Sequence, residues 1–315
     1  MSDYTQKIRE TAKKLLSEGK VDAVIGYREG TLPLMAEPCL VKDPEKVDQL
    51  VFNSFCGVNL ANYLPKRKDR VAVVAKGCDS RNIALHIVEN QVDRERLFVI
   101  GAPCTRMVDR RKVAAAVGGR EISGVSEQDG KLTVSGPGYE QTVDKKDVLQ
   151  DNCSICIHRN PVLADEMLGE KLPEQEADRY ADVREVEAMS PEERFAHFKD
   201  LFSECIRCYA CRNACPLCYC PTCFVDESKP QWVGKSIDPT DTMTFHFLRA
   251  FHCAGRCTDC GACERACPVG IKVRQLTRKL EKDCLGLFDW EAGMNPDVRP
   301  PLDTWRPEDP EEFIK

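Results

Sequence analysis

The sequence lacks any apolar run that approaches the ~20 residues a helix needs to cross a membrane. Its first residues, MSDYTQKIRETAKK, are polar and contain no apolar core of the kind found in secretory signal peptides. These two absences predict a cytoplasmic protein without direct membrane insertion. They also argue against disulfide bonds as the reason for the 19 cysteines, because disulfides persist in oxidising compartments. We therefore expect reduced cysteines and a source that is an anaerobe.

Signatures of several other function classes are missing as well. The net charge of −6, with both signs interspersed, argues against nucleic acid, whose partners carry basic stripes. The five histidines form neither HxxxH nor HExxH, and no nucleophile–base pair or carboxylate pair indicates acid–base catalysis. No intact GxGxxG fingerprint marks a nicotinamide-binding domain. The catalytic residues, if the chain has any, therefore stay unknown at this point.

The abundant cysteines follow one motif that occurs twice, the second copy beginning 52 residues after the first. The spacing is Cys-x-x-Cys-x-x-Cys-x-x-x-Cys-Pro, which is the bacterial ferredoxin pattern for two 4Fe–4S clusters. In that pattern the fourth cysteine of each run binds the other cluster, whereas a zinc ribbon would need only four cysteines in two pairs. The predicted ligands are Cys205, Cys208, Cys211 and Cys267 for cluster 1, and Cys257, Cys260, Cys263 and Cys215 for cluster 2.

The organisation of the chain is predicted from apolar periodicity and composition. Residues 1–165 are expected to form an α/β domain with a partly parallel sheet, because the apolar strands Arg70–Lys76 and Leu97–Gly101 flank a helix. Residues 166–192 are acidic and polar, as in a linker. Residues 193–290 are expected to form an α+β, ferredoxin-like domain with two 4Fe–4S clusters and an insertion at 217–252. Residues 291–315 are rich in proline and predict an extended tail.

Four further cysteines occur in the predicted α/β domain. Cys78 and Cys104 each follow a predicted strand, so both should lie at the carboxyl edge of the sheet, where open α/β sheets place ligands. Cys153-x-x-Cys156 adds two thiols from a loop. These four could bind a third 4Fe–4S cluster. The spacing alone leaves open that Cys78 and Cys104 are small buried apolar residues and that the CxxC is a thiol–disulfide pair.

The run from KGCDSRN through RLFVIGAPC to DNCSICIHRNP resembles the beta subunit family of coenzyme F-420-reducing hydrogenases and dehydrogenases. With the dicluster part, the whole chain is similar to electron-transfer subunits of heterodisulfide reductase, hydrogenase and formate dehydrogenase complexes. The resemblance implies a flavoprotein with FAD, cluster ligation by the four first-domain cysteines, and other redox subunits as partners. Arg106, Arg81 and Asn82 would then be available for the flavin phosphates. The family's usual C-terminal half is missing after Asn160-Pro161.

The insertion between the two motifs contains more cysteines than two clusters require. Cys218, Cys220 and Cys223, closed by Cys253 or by a histidine such as His252, could form an additional metal site for zinc or a further cluster. Alternatively, these thiols line a cluster cavity or exchange with an assigned ligand.

The function predicted from all of this is an iron–sulfur electron-transfer subunit of an anaerobic oxidoreductase complex. It would contain FAD and pass electrons between a two-electron donor or acceptor and one-electron carriers. The alternative is a flavin-free conducting and docking subunit with no catalytic site of its own.

Overall fold

The structure is a computed structural model that describes residues 3–303, so residues 304–315 of the predicted tail lie outside the described residues. The chain divides into two compact units. The first contains the residues up to Ser80 and Gln91–Ala177. The second contains Arg81–Asn90 and the residues from Asp178 onward, so a short segment from the N-terminal half belongs to the C-terminal unit.

The strands all belong to the first unit. In chain order they are β1 Ala23–Glu29, β2 Ala36–Val41, β3 Val71–Ala75, β4 Leu97–Gly101, β5 Gly124–Gln128, β6 Lys131–Gly136, β7 Tyr139–Asp144 and β8 Glu166–Met167.

The α-helices occur in both units, and short 3-10 helices complete the loops. In chain order the α-helices are α1 Asp3–Ser17, α2 Gly77–Val88, α3 Arg110–Ala116, α4 Asp151–Ser154, α5 Ala181–Glu187, α6 Pro191–Leu201, α7 Ala210–Asn213, α8 Pro239–His252, α9 Ala262–Ala266 and α10 Arg274–Phe288.

The main sheet has the strand order β2-β1-β3-β4-β8. β1, β3, β4 and β8 run parallel, and only the edge strand β2 is antiparallel to its neighbour. All five residues of β3 are buried, as expected for a central strand covered on both faces. The predicted α/β fold with a partly parallel sheet is therefore confirmed, and most of its strands are parallel. Because β3 and β4 are parallel neighbours, the residues that follow them emerge at the same edge of the sheet.

A second, antiparallel sheet forms from β5, β6 and β7. Its inner face contributes Leu132 and Val134 to a core that includes Val113 of α3. β5 and β6, and β6 and β7, are thus consecutive antiparallel neighbours, as in two successive hairpins.

The second unit contains no strand among its described residues, which form helices joined by loops. α8 contacts α10, and α7 contacts α9. The predicted ferredoxin-like α+β fold of this part stays a prediction. The segment predicted as a linker contributes β8 to the main sheet and α5 to the helical unit.

The segment Arg81–Asn90 is the C-terminal part of α2, and specific contacts explain why it belongs to the second unit. His86 Nε2 lies 2.9 Å from the carbonyl oxygen of Pro216. Glu89 accepts hydrogen bonds from the guanidinium of Arg256, one of them 2.8 Å long, and from the hydroxyl of Tyr219. α2 is buried from its first turn to His86, so its residues are fixed by packing as well as by these polar contacts.

The described helices include none that is both long and apolar enough to span a bilayer.

Two helix glycines, one tightly packed at the start of α2 and one with open space around it in α10, allow a matched test of helix packing. A Cβ at Gly77, the first residue of α2, would lie 2.3 Å from the carbonyl oxygen of His158, so Gly77→Ala should destabilise by about 1–3 kcal/mol. A Cβ at Gly286, inside α10, would meet nothing within 4 Å, so Gly286→Ala should stabilise by about 0.5–1 kcal/mol. Thermal unfolding midpoints measured by circular dichroism should move in opposite directions. A tolerated Gly77→Ala change would contradict the close approach at α2.

Candidate metal centres

The two cysteine loops share one backbone conformation. Arg207 and Tyr209 have positive φ values of 49° and 59° in the first loop. Asp259 and Gly261, at the equivalent positions of the second loop, have φ values of 53° and 70°. When residues with left-handed and right-handed backbone conformations alternate, successive backbone N–H groups point into one shared concave site. Such sites often bind anions and Fe–S clusters. The sequence repeat is therefore also a structural repeat.

The first loop forms one wall of a cavity of about 330 Å³. Four cysteines contribute to its lining, three from the first motif and one from the end of the second. These four are Cys205, Cys208, Cys211 and Cys267, and the other lining residues include Arg207, Phe245, His246 and Val269.

The second loop forms one wall of a cavity of about 360 Å³. It is lined by three cysteines of the second motif and by the last cysteine of the first. The lining cysteines are Cys215, Cys253, Cys257, Cys260 and Cys263, accompanied by Asn82, Arg249, Asp259, Arg274 and Thr277 among others. Each cavity lining thus combines three cysteines of one motif with the last cysteine of the other.

A backbone N–H group and a histidine ring nitrogen lie close to two of the sulfurs. Ile271 donates its N–H to Cys267 Sγ at 3.3 Å. His246 Nε2 lies 3.3 Å from Cys205 Sγ. Burial, together with the charges of Arg249 and Arg207, lowers the pKa of His246 to about 3, so its ring is neutral at pH 7. Hydrogen bonds to cluster sulfurs are one of the ways in which a protein sets a cluster's potential.

Each cavity is also lined by a buried arginine that no acidic side chain neutralises within residues 3–303. Arg207 Nη1 donates to the carbonyl oxygens of Gly234 (2.5 Å) and Ser236 (2.7 Å), and its Nε has no hydrogen-bond partner. Arg249 Nη2 donates to the carbonyl oxygen of Cys211 at 3.2 Å, and its Nε also has none. Buried charges are costly unless they are compensated. An anionic group held by thiolates, such as a 4Fe–4S cluster, fits this combination of cysteines and cations.

A single metal ion fits less well. In the described part of the chain, no three His, Cys, Asp or Glu side chains converge closely enough to hold one ion. Ligands of a tetrahedral zinc ion lie about 3.8 Å apart because each Zn–S bond is about 2.3 Å long. The four cysteines of a cubane bind four different irons and therefore stand farther apart.

The thiol of Cys215 differs from the other cysteines. Hydrogen bonds from the Cys218 and Cys253 thiols hold its pKa well below the ordinary value, whereas burial raises the pKa of Cys263 to about 12. Metal ligands must be deprotonated, so cluster formation at these cysteines has to release protons.

The cysteines proposed for an additional metal site lie in different surroundings. Cys218 and Cys253 contact Cys215, and Cys253 lines the second cavity. Cys223 contacts the guanidinium of Arg212 and packs against the apolar cluster that contains Phe245. Cys220 is exposed. Of these four thiols, Cys253 therefore lines a cysteine cavity, as the alternative interpretation of the insertion expected.

The four first-domain cysteines are connected through the segment from Cys156 to Asn160. The N–H of Cys104 donates to the carbonyl of Arg159 at 2.8 Å. The Cys156 thiol lies 3.5 Å from the carbonyl of His158, and that same carbonyl approaches Gly77, the residue before Cys78. Burial first, and then the neighbouring Cys153, raises the pKa of Cys104 to about 11. Cys104 and Cys156 thus contact one loop, which also approaches Gly77, the residue before Cys78, and Cys153 interacts with Cys104.

Cys104 repeats a local feature of the dicluster motifs. Arg106, two residues later, has a φ of 73° and donates its N–H to Cys104 Sγ at 3.4 Å. Arg207 and Asp259 have the same sign of φ and donate in the same way to Cys205 and Cys257. The same cysteine geometry therefore occurs in both units.

A buried ion pair lies at the end of β3, beside Cys78. Lys76 Nζ is 2.7 Å from Asp79 Oδ2 and 3.2 Å from the carbonyl of Val58, and it also contacts the Tyr27 hydroxyl. Burial lowers the pKa of Lys76, but the charges of Asp79 and Tyr27 outweigh burial and hold it well above its ordinary value. Lys76 is therefore charged, and its charge is balanced locally.

The residues predicted for flavin phosphates do not share one environment. Arg81 donates from Nε to the carbonyl of Ala292 at 2.9 Å, and Asn82 donates to the Thr258 hydroxyl at 2.8 Å, both within the second unit. Asn82 also lines the second cysteine cavity. Arg106 belongs to the first unit and is half-buried.

Sequence reasoning missed His246 and Arg249. Both lie on α8 inside the insertion and not in a cysteine motif. Their spacing of three residues, which puts them on one face of a helix, was the available signal.

No protein-family model matches the chain. Among curated proteins, it is 23% identical to the beta subunit of F420-dependent formate dehydrogenase from Methanocaldococcus jannaschii, over 87% of this chain and 88% of the relative. It is 24% identical to the beta subunit of F420-dependent formate dehydrogenase 1 from Methanococcus maripaludis, over 92% of this chain and 91% of the relative. These relatives confirm the predicted resemblance to F420-linked beta subunits.

Among solved structures, the chain is similar to a chain of the F420-reducing [NiFe] hydrogenase complex from Methanosarcina barkeri. The TM-score is 0.40 and the identity 17%, and the match covers 49% of this chain and 59% of that chain.

The Lys76–Asp79 pair allows a test of the local charge balance. Asp79→Asn keeps the shape and removes the counter-charge, so it should destabilise the protein by about 3–5 kcal/mol. In the wild type, the raised pKa of Lys76 means that its protonation stabilises the folded protein. This stabilisation is complete below about pH 10.4, the pKa of an unfolded lysine, and is lost as the pH rises further. In the variant, burial should lower that pKa, so the unfolding midpoint should recover as the pH rises from 7 towards 10.

Asp22→Asn is the matched control, because the Asp22–Arg70 pair is exposed. It should leave the midpoint and its pH dependence almost unchanged. Equal effects of the two changes would show that Lys76 does not depend on Asp79.

Proposed function

We propose that this chain is an iron–sulfur electron-transfer subunit of an anaerobic oxidoreductase complex. The single observation that carries the proposal is the crossed lining of the two cavities, in which each takes three cysteines from one motif and the fourth from the other. Cluster 1 would be held by Cys205, Cys208, Cys211 and Cys267, and cluster 2 by Cys257, Cys260, Cys263 and Cys215. When bound, such clusters supply one-electron transfer.

The protein's own residues would hold and tune these clusters. The concave amide arrays of the two loops and the buried Arg207 and Arg249 offset negative charge. Phe245, Ile271 and Val273 give the first cavity buried apolar walls, which would limit the access of water to a bound cluster. His246 directs a neutral ring nitrogen at Cys205.

A third 4Fe–4S cluster is proposed at Cys78, Cys104, Cys153 and Cys156. Its support is the loop that contacts Cys104 and Cys156 and approaches Gly77, beside Cys78, together with the N–H donated to Cys104 in the geometry of the dicluster loops. The position of Cys78 and Cys104 after two parallel neighbouring strands agrees with this assignment.

Partners are proposed from the relatives. Both curated relatives are beta subunits of F420-dependent formate dehydrogenases, so we propose that this chain also acts beside another redox subunit, of formate dehydrogenase or hydrogenase type. Three further points rest on the sequence alone and stay predictions. These are a partner of the heterodisulfide reductase type, a cytoplasmic location, and an additional metal site at Cys218, Cys220, Cys223 and Cys253.

FAD is proposed because the chain resembles a flavoprotein family and its relatives depend on F420. When bound, FAD would connect a two-electron donor or acceptor to one-electron clusters. Arg106 is the phosphate-binding candidate whose guanidinium is not tied to the second unit.

A flavin-free conducting and docking subunit is the second candidate. The positions of Arg81 and Asn82 favour it, because two of the three predicted phosphate ligands are bonded within the second unit.

Iron analysis of cysteine variants tests the cluster assignments. Each of Cys208→Ala, Cys260→Ala and Cys104→Ala should remove about four of about twelve irons and the matching acid-labile sulfide, because each assigned cluster holds four. Cys39→Ala is the control, since Cys39 lies on β2 away from every assigned set. Full-length protein that holds zinc and no sulfide would overturn the ferredoxin assignment.

The crossing of the fourth cysteines has its own test. Cys215→Ala should abolish cluster 2, whereas Cys253→Ala, in the same cavity, should leave the iron content unchanged. The reverse pattern would make Cys253 the ligand.

Flavin release separates the two candidate functions. Denaturing anaerobically purified protein should release FAD fluorescence, and Arg106→Ala should lower flavin occupancy while the iron content is unchanged, because a guanidinium matches phosphate oxygens in a fork. Arg110→Ala, a neighbouring exposed arginine, is the control. Wild-type protein with full iron that takes up neither FAD nor FMN would establish the flavin-free alternative.

A further inference from the structure

Arg249 is a buried cation that lies among thiols and forms no ion pair with a carboxylate within the described residues. Only 5% of its surface is exposed, and it lines the second cavity. The titratable side chains that act on it most strongly are four cysteines, Cys215, Cys253, Cys263 and Cys218. Within residues 3–303 its one hydrogen bond goes to the carbonyl of Cys211, and its Nε has no partner.

Arg274 lines the same cavity but is neutralised. Its guanidinium forms ion pairs with Asp259 and, at 2.8 Å, with Glu264. Arg249 is thus the cation of this cavity that lacks an acidic partner among the described residues. A buried guanidinium held only by neutral groups should be destabilising unless an anion arrives next to it.

A 4Fe–4S cluster provides that anion, and its reduced form carries one more negative charge than its oxidised form. A nearby buried cation therefore stabilises the reduced form more than the oxidised form, and the effect is large because the low dielectric of the interior screens it little. Net charge near a cluster is one of the determinants of its potential.

We propose that Arg249 is the counter-charge of cluster 2 and sets its reduction potential. The inference rests on the proposed function and deepens it, because it assigns a role to the insertion helix α8. Arg249 acts as a positioning and tuning residue, since its guanidinium faces the cavity and makes no ligand bond. On the side of cluster 1 it donates to the backbone carbonyl of Cys211, and its charge also acts on the Cys211 thiol. The cysteines that act on it most strongly all lie outside the cluster 1 set, so its effect on cluster 1 should be smaller.

The same helix serves cluster 1 by a different means. His246, three residues before Arg249, places Nε2 3.3 Å from Cys205 Sγ and stacks on Phe202 with ring centroids 4.2 Å apart. Its Nε2 would contribute a hydrogen bond to the Cys205 sulfur, whereas Arg249 contributes a full charge. α8 would therefore raise both potentials, by charge at one cluster and by a hydrogen bond at the other.

The test is a redox titration of the full-length protein, followed by electron paramagnetic resonance. The cluster signals are assigned from Cys208→Ala and Cys260→Ala. Arg249→Met should lower the equilibrium constant for reduction of cluster 2 tenfold or more, which is about 59 mV for one electron, and should move cluster 1 by less. Arg249→Lys keeps the charge and should retain most of the wild-type potential.

His246→Phe is the matched control on the same helix. It keeps the stacking on Phe202 and removes the nitrogen at Cys205, so it should lower the potential of cluster 1 and leave cluster 2 unchanged. Should Arg249→Met lose its iron, Arg249→Gln, which keeps a donor for the Cys211 carbonyl, carries the same expectation.

The outcomes separate the two levels of the proposal. Loaded Arg249 variants whose cluster 2 potential equals that of the wild type, or whose two clusters shift equally, would overturn the role of Arg249 and leave the electron-transfer function standing. Wild-type protein without clusters would overturn the proposed function, and the role of Arg249 with it.

Discussion

Each cysteine motif of the second unit contributes its last cysteine to the cavity that the other motif forms, and the described helices of that unit hold the two motifs together. A loop of seven residues presents three cysteines in one turn, and the fourth follows only after a short helix, α7 or α9. Because α7 and α9 contact each other, the fourth cysteine of each motif reaches the opposite cavity. Neither cavity has its full set of thiols unless both loops are folded and paired.

The cysteine sets were predictable because spacing restricts them strongly. Three thiols separated by two residues each can converge only in a tight turn, and the internal repeat supplies the rest. The parallel strands were also predictable, since short apolar runs such as Val71–Ala75 flank a helix. Arg249 and His246 were not, because their role depends on how α8 packs against the loops. Arg81 and Asn82 were assigned to a flavin from their nearness to the strand end, whereas the segment that carries them is bonded within the second unit.

The buried cations of the two units are stabilised in different ways. Lys76 has Asp79 at 2.7 Å, so its site is neutral as folded and needs no further ligand. Arg207 and Arg249 are held by backbone carbonyls and a tyrosine hydroxyl, which supply dipoles and no charge. An ion pair whose charges balance each other, such as Lys76 with Asp79, stabilises the fold without a further ligand. Buried cations that only dipoles hold, such as Arg207 and Arg249, indicate a site that binds an anion.

The assignment of Arg81–Asn90 to the second unit has a consequence for synthesis on the ribosome. Glu89 and its partner Arg256 are 167 residues apart in the chain. At ~5–20 residues per second, translation separates their appearance by roughly 8–30 s. Until Pro216 and Tyr219 emerge, 130 residues after His86 and Glu89, the C-terminal part of α2 has none of these second-unit partners. The nascent chain must therefore keep an apolar helix surface from aggregating until the last third of the protein emerges.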